Sequence, residues 1–294
     1  MYLGTVLGLI AALAAAPAFA APRAVEVRRY VWQEGMADFG GLSALELSPD
    51  GVAFVAVSDR SAIFSGRFMR GDKGQVTAVT LAPDMPVLPR TATGGPVEGE
   101  AVDSEGVALL PGGDFYVSYE TVDRIVEYGD AGRTWLAEDR PDAFSHFTLN
   151  AGIEALAIDA AGRLWAMPEG GPAETKIPVY RREGGRWTRP MVLRREGNWR
   201  AVGADFGPDG RLYLLERDYW PLLGFMSRLR RIAFDGDRVT EDLVLMQSEA
   251  GTYDNLEGLA VWQDGQGEIR LTAVSDDNYL PTQRTELVDF RVTE

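Results

Sequence analysis

The chain has 294 residues, 46% of them hydrophobic and 25% charged, a balance that fits a water-soluble globular fold with ample length for a core. Its net charge of -15 argues against nucleic acid or an anionic membrane as a partner. The absence of cysteine excludes disulfides and thiolate metal sites, and a single histidine, His146, excludes a His-rich zinc centre.

Residues 1–22 are uncharged and apolar and pass through Ala18-Phe19-Ala20. An apolar run followed by an A-x-A site reads as a secretory signal peptide over residues 1–20, although the usual basic n-region is missing. No later stretch is long and apolar enough to span a bilayer. The expectation is a periplasmic or secreted, monomeric protein, with residues 21–294 as one domain.

Val25–Trp32 alternates in type and reads as a strand without a nearby hairpin partner. Next come Leu42–Leu47, the turn Pro49-Asp50-Gly51, and strands over Ala53–Ser58, Ala62–Met69 and Val76–Leu81, which together make a four-stranded meander. Residues 83–102 carry Pro83, Pro86, Pro89, Pro96 and Gly94-Gly95, and read as a long surface loop, the kind that serves as a lid or binding loop or is a tolerated insertion.

The meander then recurs. A short phrase appears as Asp103-Ser104-Glu105-Gly106-Val107-Ala108, Gly152-Ile153-Glu154-Ala155-Leu156-Ala157 and Asn255-Leu256-Glu257-Gly258-Leu259-Ala260. Eight residues after each glutamate stands a glycine, Gly113, Gly162 or Gly265, and the same spacing laid back from Gly51 and Gly210 lands on Ser43 and Val202. A period of about 50 residues marks a repeat architecture. Residues one and three after the glutamate are small, those two and four after it large, as in a strand with two buried faces and a close neighbour. Such strands line the axis of a β-propeller.

The fold class expected is therefore all-β, a propeller of four-stranded blades. The count gives five, or six if residues 83–102 or 138–150 hide further strands. The last repeat is one strand short, so the N-terminal strand should close the ring. No segment carries a convincing helical period.

In such a blade the start of the first strand and the end of the second share one rim. The starts carry Glu105, Glu154 and Glu257, with Ser43 and Val202 in the other two repeats; the second strands end in Asp59, Glu120, Glu169, Glu216 and Asp276-Asp277. Carboxylates crowded round a channel raise one another's pKa unless a cation neutralises them. Calcium takes six to eight oxygen ligands, mixing carboxylates with amides and water. Glu105, Glu154, Glu257, Asp59, Asn255 and Asp276 are the candidate ligands of calcium or another hard divalent cation, with Asn150 and Asn278 as further amides. One of Glu105, Glu154 and Glu257, left unassigned, would be a catalytic general base. Arg60, Arg200, Arg217, Arg284 and Tyr219 are candidate substrate-binding residues, with Tyr219-Trp220 placed in a long loop. His146 reads as a half-buried loop or strand-edge residue.

Several of these stretches also carry a resemblance: Phe39-Gly40-Gly41-Leu42-Ser43, Ser58-Asp59-Arg60, Asp103-Ser104-Glu105-Gly106, Gly152-Ile153-Glu154, Leu215-Glu216-Arg217, Asp254-Asn255-Leu256-Glu257-Gly258, Ser275-Asp276-Asp277-Asn278 and Gln283-Arg284-Thr285. In this order they resemble the exported bacterial phytase-like family, labelled "esterase-like activity of phytase". The resemblance implies a β-propeller with phosphoesterase or esterase activity and, by analogy with propeller phytases, calcium. One departure is Ala151, where much of the family is expected to carry arginine.

Three functions stay open at this point. A metal-dependent hydrolase would act on a small phosphoester or ester at the acidic mouth. A sugar-lactone hydrolase could use a similar mouth. A non-catalytic binding protein would hold a structural cation. The absence of G-x-S-x-G disfavours a serine esterase.

Overall fold

The computed structural model describes residues 21–145, 147, 151–171 and 174–294. The proposed signal peptide over 1–20, His146 and Asn150 lie outside the described residues.

Strand β1 (Arg23–Val31) comes first. Blade one is β2 (Leu42–Leu47), β3 (Ala53–Ser58), β4 (Ile63–Arg70) and β5 (Val76–Leu81). Blade two is β6 (Ser104–Leu109), β7 (Phe115–Tyr119), β8 (Arg124–Gly129) and β9 (Thr134–Asp139). Blade three is β10 (Ile153–Ile158), β11 (Leu164–Pro168), β12 (Lys176–Glu183) and β13 (Arg186–Arg194). Blade four is β14 (Arg200–Phe206), β15 (Leu212–Trp220), β16 (Gly224–Asp235) and β17 (Arg238–Gln247). Blade five is β18 (Asn255–Gln263), β19 (Ile269–Asp276) and β20 (Glu286–Thr293), completed by β1.

The five sheets are antiparallel meanders arranged as a five-bladed β-propeller. The inner strands β2, β6, β10, β14 and β18 pack side by side around the axis. Among the described residues the core is divided. Five apolar clusters fill the five seams, one between each pair of neighbouring blades. The small residues of the repeat mark where inner strands touch. A Cβ on Gly203 would lie 2.3 Å from the Glu257 carbonyl oxygen, and one on Gly106 would lie 2.6 Å from that of Glu154. Neither contact leaves room for a side chain.

The ring closes through β1, which pairs with β20 from Arg23 opposite Thr293 to Val31 opposite Glu286. Trp32 then plugs the seam to blade one, 1% exposed, its ring 5.3 Å from Phe54 and 6.1 Å from Phe68. Deleting residues 23–33 should bare the β20 edge and empty this seam. Loss of a buried tryptophan side chain alone costs about 3–5 kcal/mol. The expected outcome is a much lower melting temperature with association through the open edge; an unchanged melting temperature would refute the closure.

Residues 83–102 contain no strand. The segment forms isolated bridges, Val87 to Ile63 and Arg90 to Pro96, and a 3-10 turn at Gly99–Ala101. It lines a groove with Arg124 and Trp135 of blade two and touches neither of the clefts at the channel mouth. Tyr219-Trp220 differ from the sequence expectation. They end β15, whose hairpin with β16 runs on past the rim until Trp220 faces Gly224. Proline and glycine at its tip resemble a loop in sequence, but the tip is only the turn of a longer ladder.

Candidate functional site

The rim is built by one backbone irregularity repeated in every blade. The register of each inner strand against the second slips by one residue, at Ser43, Glu105, Glu154, Val202 and Glu257. A bulge re-aims its extra residue, which is why such features gather at channel rims. The carboxylates of Glu105, Glu154 and Glu257 thus share the channel mouth, the pKa of each raised by burial first and by neighbouring carboxylates, with Arg217 pulling against this at Glu154 and Glu257. The channel below is narrow, with about 10 Å³ of free space among the inner strands. At most about one water fits in such a space.

The mouth divides into two sectors. Towards blades one and two it is acidic. Carboxylate oxygens of Asp103, Glu105 and Glu120 lie within 4.8 Å of one another. They receive neutral donors, the Thr121 hydroxyl to Asp103 at 2.9 Å and the Gly152 N–H to Glu120 at 2.6 Å. Asp59 stands nearby with Oδ1 buried and without a hydrogen-bond partner among the described residues. Its pKa is pushed up to about 7, by burial and then by Asp276, against the pull of Arg60. Ser43 serves the scaffold instead, since its hydroxyl donates to the Ser104 carbonyl at 2.6 Å and ties blade one to blade two.

Towards blade four the sign changes. Blade four carries Val202 where blades two, three and five carry glutamate, and its second strand brings Arg217 to the mouth. The guanidinium donates to Glu169 of blade three and Asn255 of blade five, each at 2.9 Å, and also to Glu257. Burial alone would lower its pKa, but Glu257, Glu154 and Glu169 outweigh burial and raise it. Arg217 is therefore a resident cation, and Glu257 and Asn255 are already engaged with it. Glu216, beside it in sequence, points the other way. It is fully buried between Arg228 at 2.6 Å and Arg230 at 2.8 Å, within the blade rather than at the mouth.

Arg200 also donates to Glu169. Arg200, Arg217, Tyr219, Asn198, Asn255 and Asn278 face a cleft of about 500 Å³. Tyr219 and Asn278 separate it from a second cleft of about 530 Å³, reached by Arg284 and Gln283. Arg60 enters neither cleft and lies over the Tyr279 ring at 3.5 Å. Arg284 pairs with Glu286 at 3.1 Å. Asp276 accepts from Asn255 and from the Asn278 N–H, at 3.4 and 2.6 Å. The structure thus brings Glu105, Glu154, Glu257, Asp59, Asn255 and Asp276 to one mouth, but splits them between the acidic cluster and the guanidinium. Asp103 and Asn198 are additions. Asp103 sits opposite Glu120, which donates its N–H to the Asp103 carbonyl, and strand pairing was the signal that could have found it.

The raised carboxyls make stability depend on pH with a definite sign. Asp59 and Glu120 are pushed up to about 7 and Glu257 to about 8, chiefly by burial. A group that binds its proton more tightly when folded stabilises the fold at low pH and loses that contribution as pH rises from its unfolded value through its folded one. In chelator, the melting temperature should fall from pH 5 to pH 8.5. A melting temperature that rose across this range would refute the crowding.

Among known structures, the chain is 12% identical to an α-L-arabinofuranosidase from Podospora anserina solved with cellotriose, over 92% of this chain and 97% of that one, with a TM-score of 0.54. It is 10% identical to the WD40 repeats of RRP9, over 90% and 97%, with a TM-score of 0.51. It is 14% identical to a PQQ-bound aldose sugar dehydrogenase from Streptomyces coelicolor, over 90% and 98%, with a TM-score of 0.47. At such identities the likeness is one of fold alone. No curated protein matches the chain. A family does: the phytase-like family described as "Esterase-like activity of phytase" matches residues 37–279, and the chain belongs to it.

Proposed function

We propose that this protein is an exported hydrolase of small phosphoesters or esters, acting at the propeller mouth with a hard divalent cation such as calcium. The observation that carries the reading is the juxtaposition of an acidic cluster with a cleft lined by guanidinium and amide donors.

The donor set suits a hard cation. Asp103, Glu105 and Glu120 converge within 4.8 Å, and none forms a salt bridge with a described residue. These three would hold the ion, with Asp59 beside them; when bound, it would polarise a phosphoryl or carbonyl oxygen. The chain supplies the rest. Arg200 and Arg217 offer N–H groups to an anionic or polar substrate, and the amides of Asn198, Asn255 and Asn278 offer directional partners. Tyr219 and Phe225, with ring centroids 4.9 Å apart, give the cleft an apolar wall. Glu154 is the preferred general base. It lies between the two sectors, its pKa raised by burial and Glu169 and lowered by Arg217, and a carboxylate with a raised pKa is the stronger base toward a water proton.

The test is a panel of phosphomonoesters, phosphodiesters, aryl esters and lactones, each assayed with calcium and with chelator. Calcium-dependent turnover of a phosphoester or ester, lost in Glu154→Gln, supports the proposal. Turnover confined to lactones moves the assignment to a lactone hydrolase, and no turnover of any substrate refutes catalysis.

A further inference from the structure

The far end of the channel opens into a cavity of about 710 Å³ on the face opposite the mouth. Two features set it apart from a shallow surface dimple. Trp165, Phe206 and Phe234 form a contiguous aromatic wall, with ring centroids of Trp165 5.2 Å from Phe206 and 5.1 Å from Phe234. Leu47, Val261 and Trp262 continue the apolar lining. Cavities of a few hundred cubic ångströms with apolar walls and a few converging polar groups are the usual form of a small-molecule site.

Besides the Arg163–Asp159 pair, the charged groups of the lining are two acids that break the repeat. Counted three residues on from the bulge, the inner strands carry Ala108, Ala157 and Ala260, but Glu46 in blade one and Asp205 in blade four. These are the two blades without a rim glutamate. Both side chains are buried, 5% and 8% exposed, and both line the cavity. Asp205 accepts the Val261 N–H at 2.6 Å. Among the described residues no basic group answers them: Arg163, the only basic residue of the lining, is paired with Asp159 at 2.6 Å. Burial and then the charge of Asp205 raise the pKa of Glu46, and burial pushes Asp205 up to about 7. A positive group seated beside them would relieve that cost.

We propose that this cavity is a second ligand site, separate from the mouth, for a small organic cation: an ammonium head at Glu46 and Asp205, and an apolar body against the aromatic wall. A bare metal ion fits poorly, because a hard cation needs six to eight oxygens and most of this lining is hydrocarbon and indole. Indole and phenyl faces favour an organic ammonium over a neutral molecule of the same shape. The two ends of the channel do not communicate freely, since the space between them is about 10 Å³.

The experiment titrates the mature protein with phenethylammonium, with its neutral counterpart 2-phenylethanol, and with calcium alone, by calorimetry and by the indole N–H resonances of Trp165 and Trp262. The expected result is saturable 1:1 binding of phenethylammonium, about tenfold tighter than 2-phenylethanol, with both indoles shifted. Glu46→Gln and Asp205→Asn should each shrink that preference. The wild-type comparison of the two probes stands even where a variant folds poorly. Equal affinity for both probes, absence of saturable binding, or displacement of phenethylammonium by calcium would each overturn the proposal.

Discussion

Arg217→Met should be the most damaging single substitution in the mouth, lowering stability by about 3–5 kcal/mol, as expected when one partner of a buried charge cluster is removed. The Arg217 side chain is 18% exposed, and its guanidinium holds Glu169 and Glu257, whose side chains are 6% and 11% exposed. Methionine fills similar volume without charge, so the loss measures what Glu257 costs without its counter-ion and what Glu169 costs with Arg200 alone. Two further measurements distinguish this from lost packing. The deficit should be larger at pH 8.5 than at pH 5, because Glu257, pushed up to about 8 even with Arg217 present, takes up a proton more readily without it. The double variant Arg217→Met, Glu257→Gln should recover part of the loss. A deficit independent of pH and unrelieved in the double variant would show Arg217 to be mere filler.

The charge reversal at blade four shows where the sequence stops being legible. Period, turn glycines and small inner residues are local signals, each read without knowing what a side chain faces, and they lead to five blades, closure by β1 and a shared rim. Which side chains reach that rim is another matter. In a strand, one residue of register moves a side chain to the other face. The slip between Ala201 and Gly203 sits beside the point where β14 meets Glu216 and Arg217. The sequence pattern puts Glu216 on the rim by analogy with Asp59, Glu120 and Glu169, yet Arg228 and Arg230 from the next strand pull it inward. Those arginines lie a dozen residues away in sequence and announce nothing by their spacing. Alternation cannot be counted through a bulge that is itself unseen. Glu46 and Asp205 are hidden differently: reading the repeat by what it shares passes over the positions where two copies depart from it.

The second large effect separates a cation site from a mere crowd of acids. If Asp103, Glu105 and Glu120 hold calcium, adding it to chelator-treated protein at a hundred times its dissociation constant stabilises the fold by about 2.7 kcal/mol. That is roughly 5–10 °C in melting temperature for a domain of this order of size. Magnesium should do less, since it demands a smaller, near-octahedral cage and gives up water reluctantly. Glu105→Gln removes one charged oxygen donor at nearly constant volume. In calcium the variant should lose most of the gain. In chelator it should melt as high as the parent or higher, because Glu154, Glu257, Asp103 and Glu120 all disfavour the charge on Glu105. Glu257→Gln should behave differently. It removes a partner of Arg217, so it should shift both melting curves alike while the calcium increment survives. Glu183→Gln, exposed on the third strand of blade three, should do neither. A calcium increment that survives in Glu105→Gln, or that is absent from the parent, would remove the cation from the mouth and leave the guanidinium cleft to bind its ligand unaided.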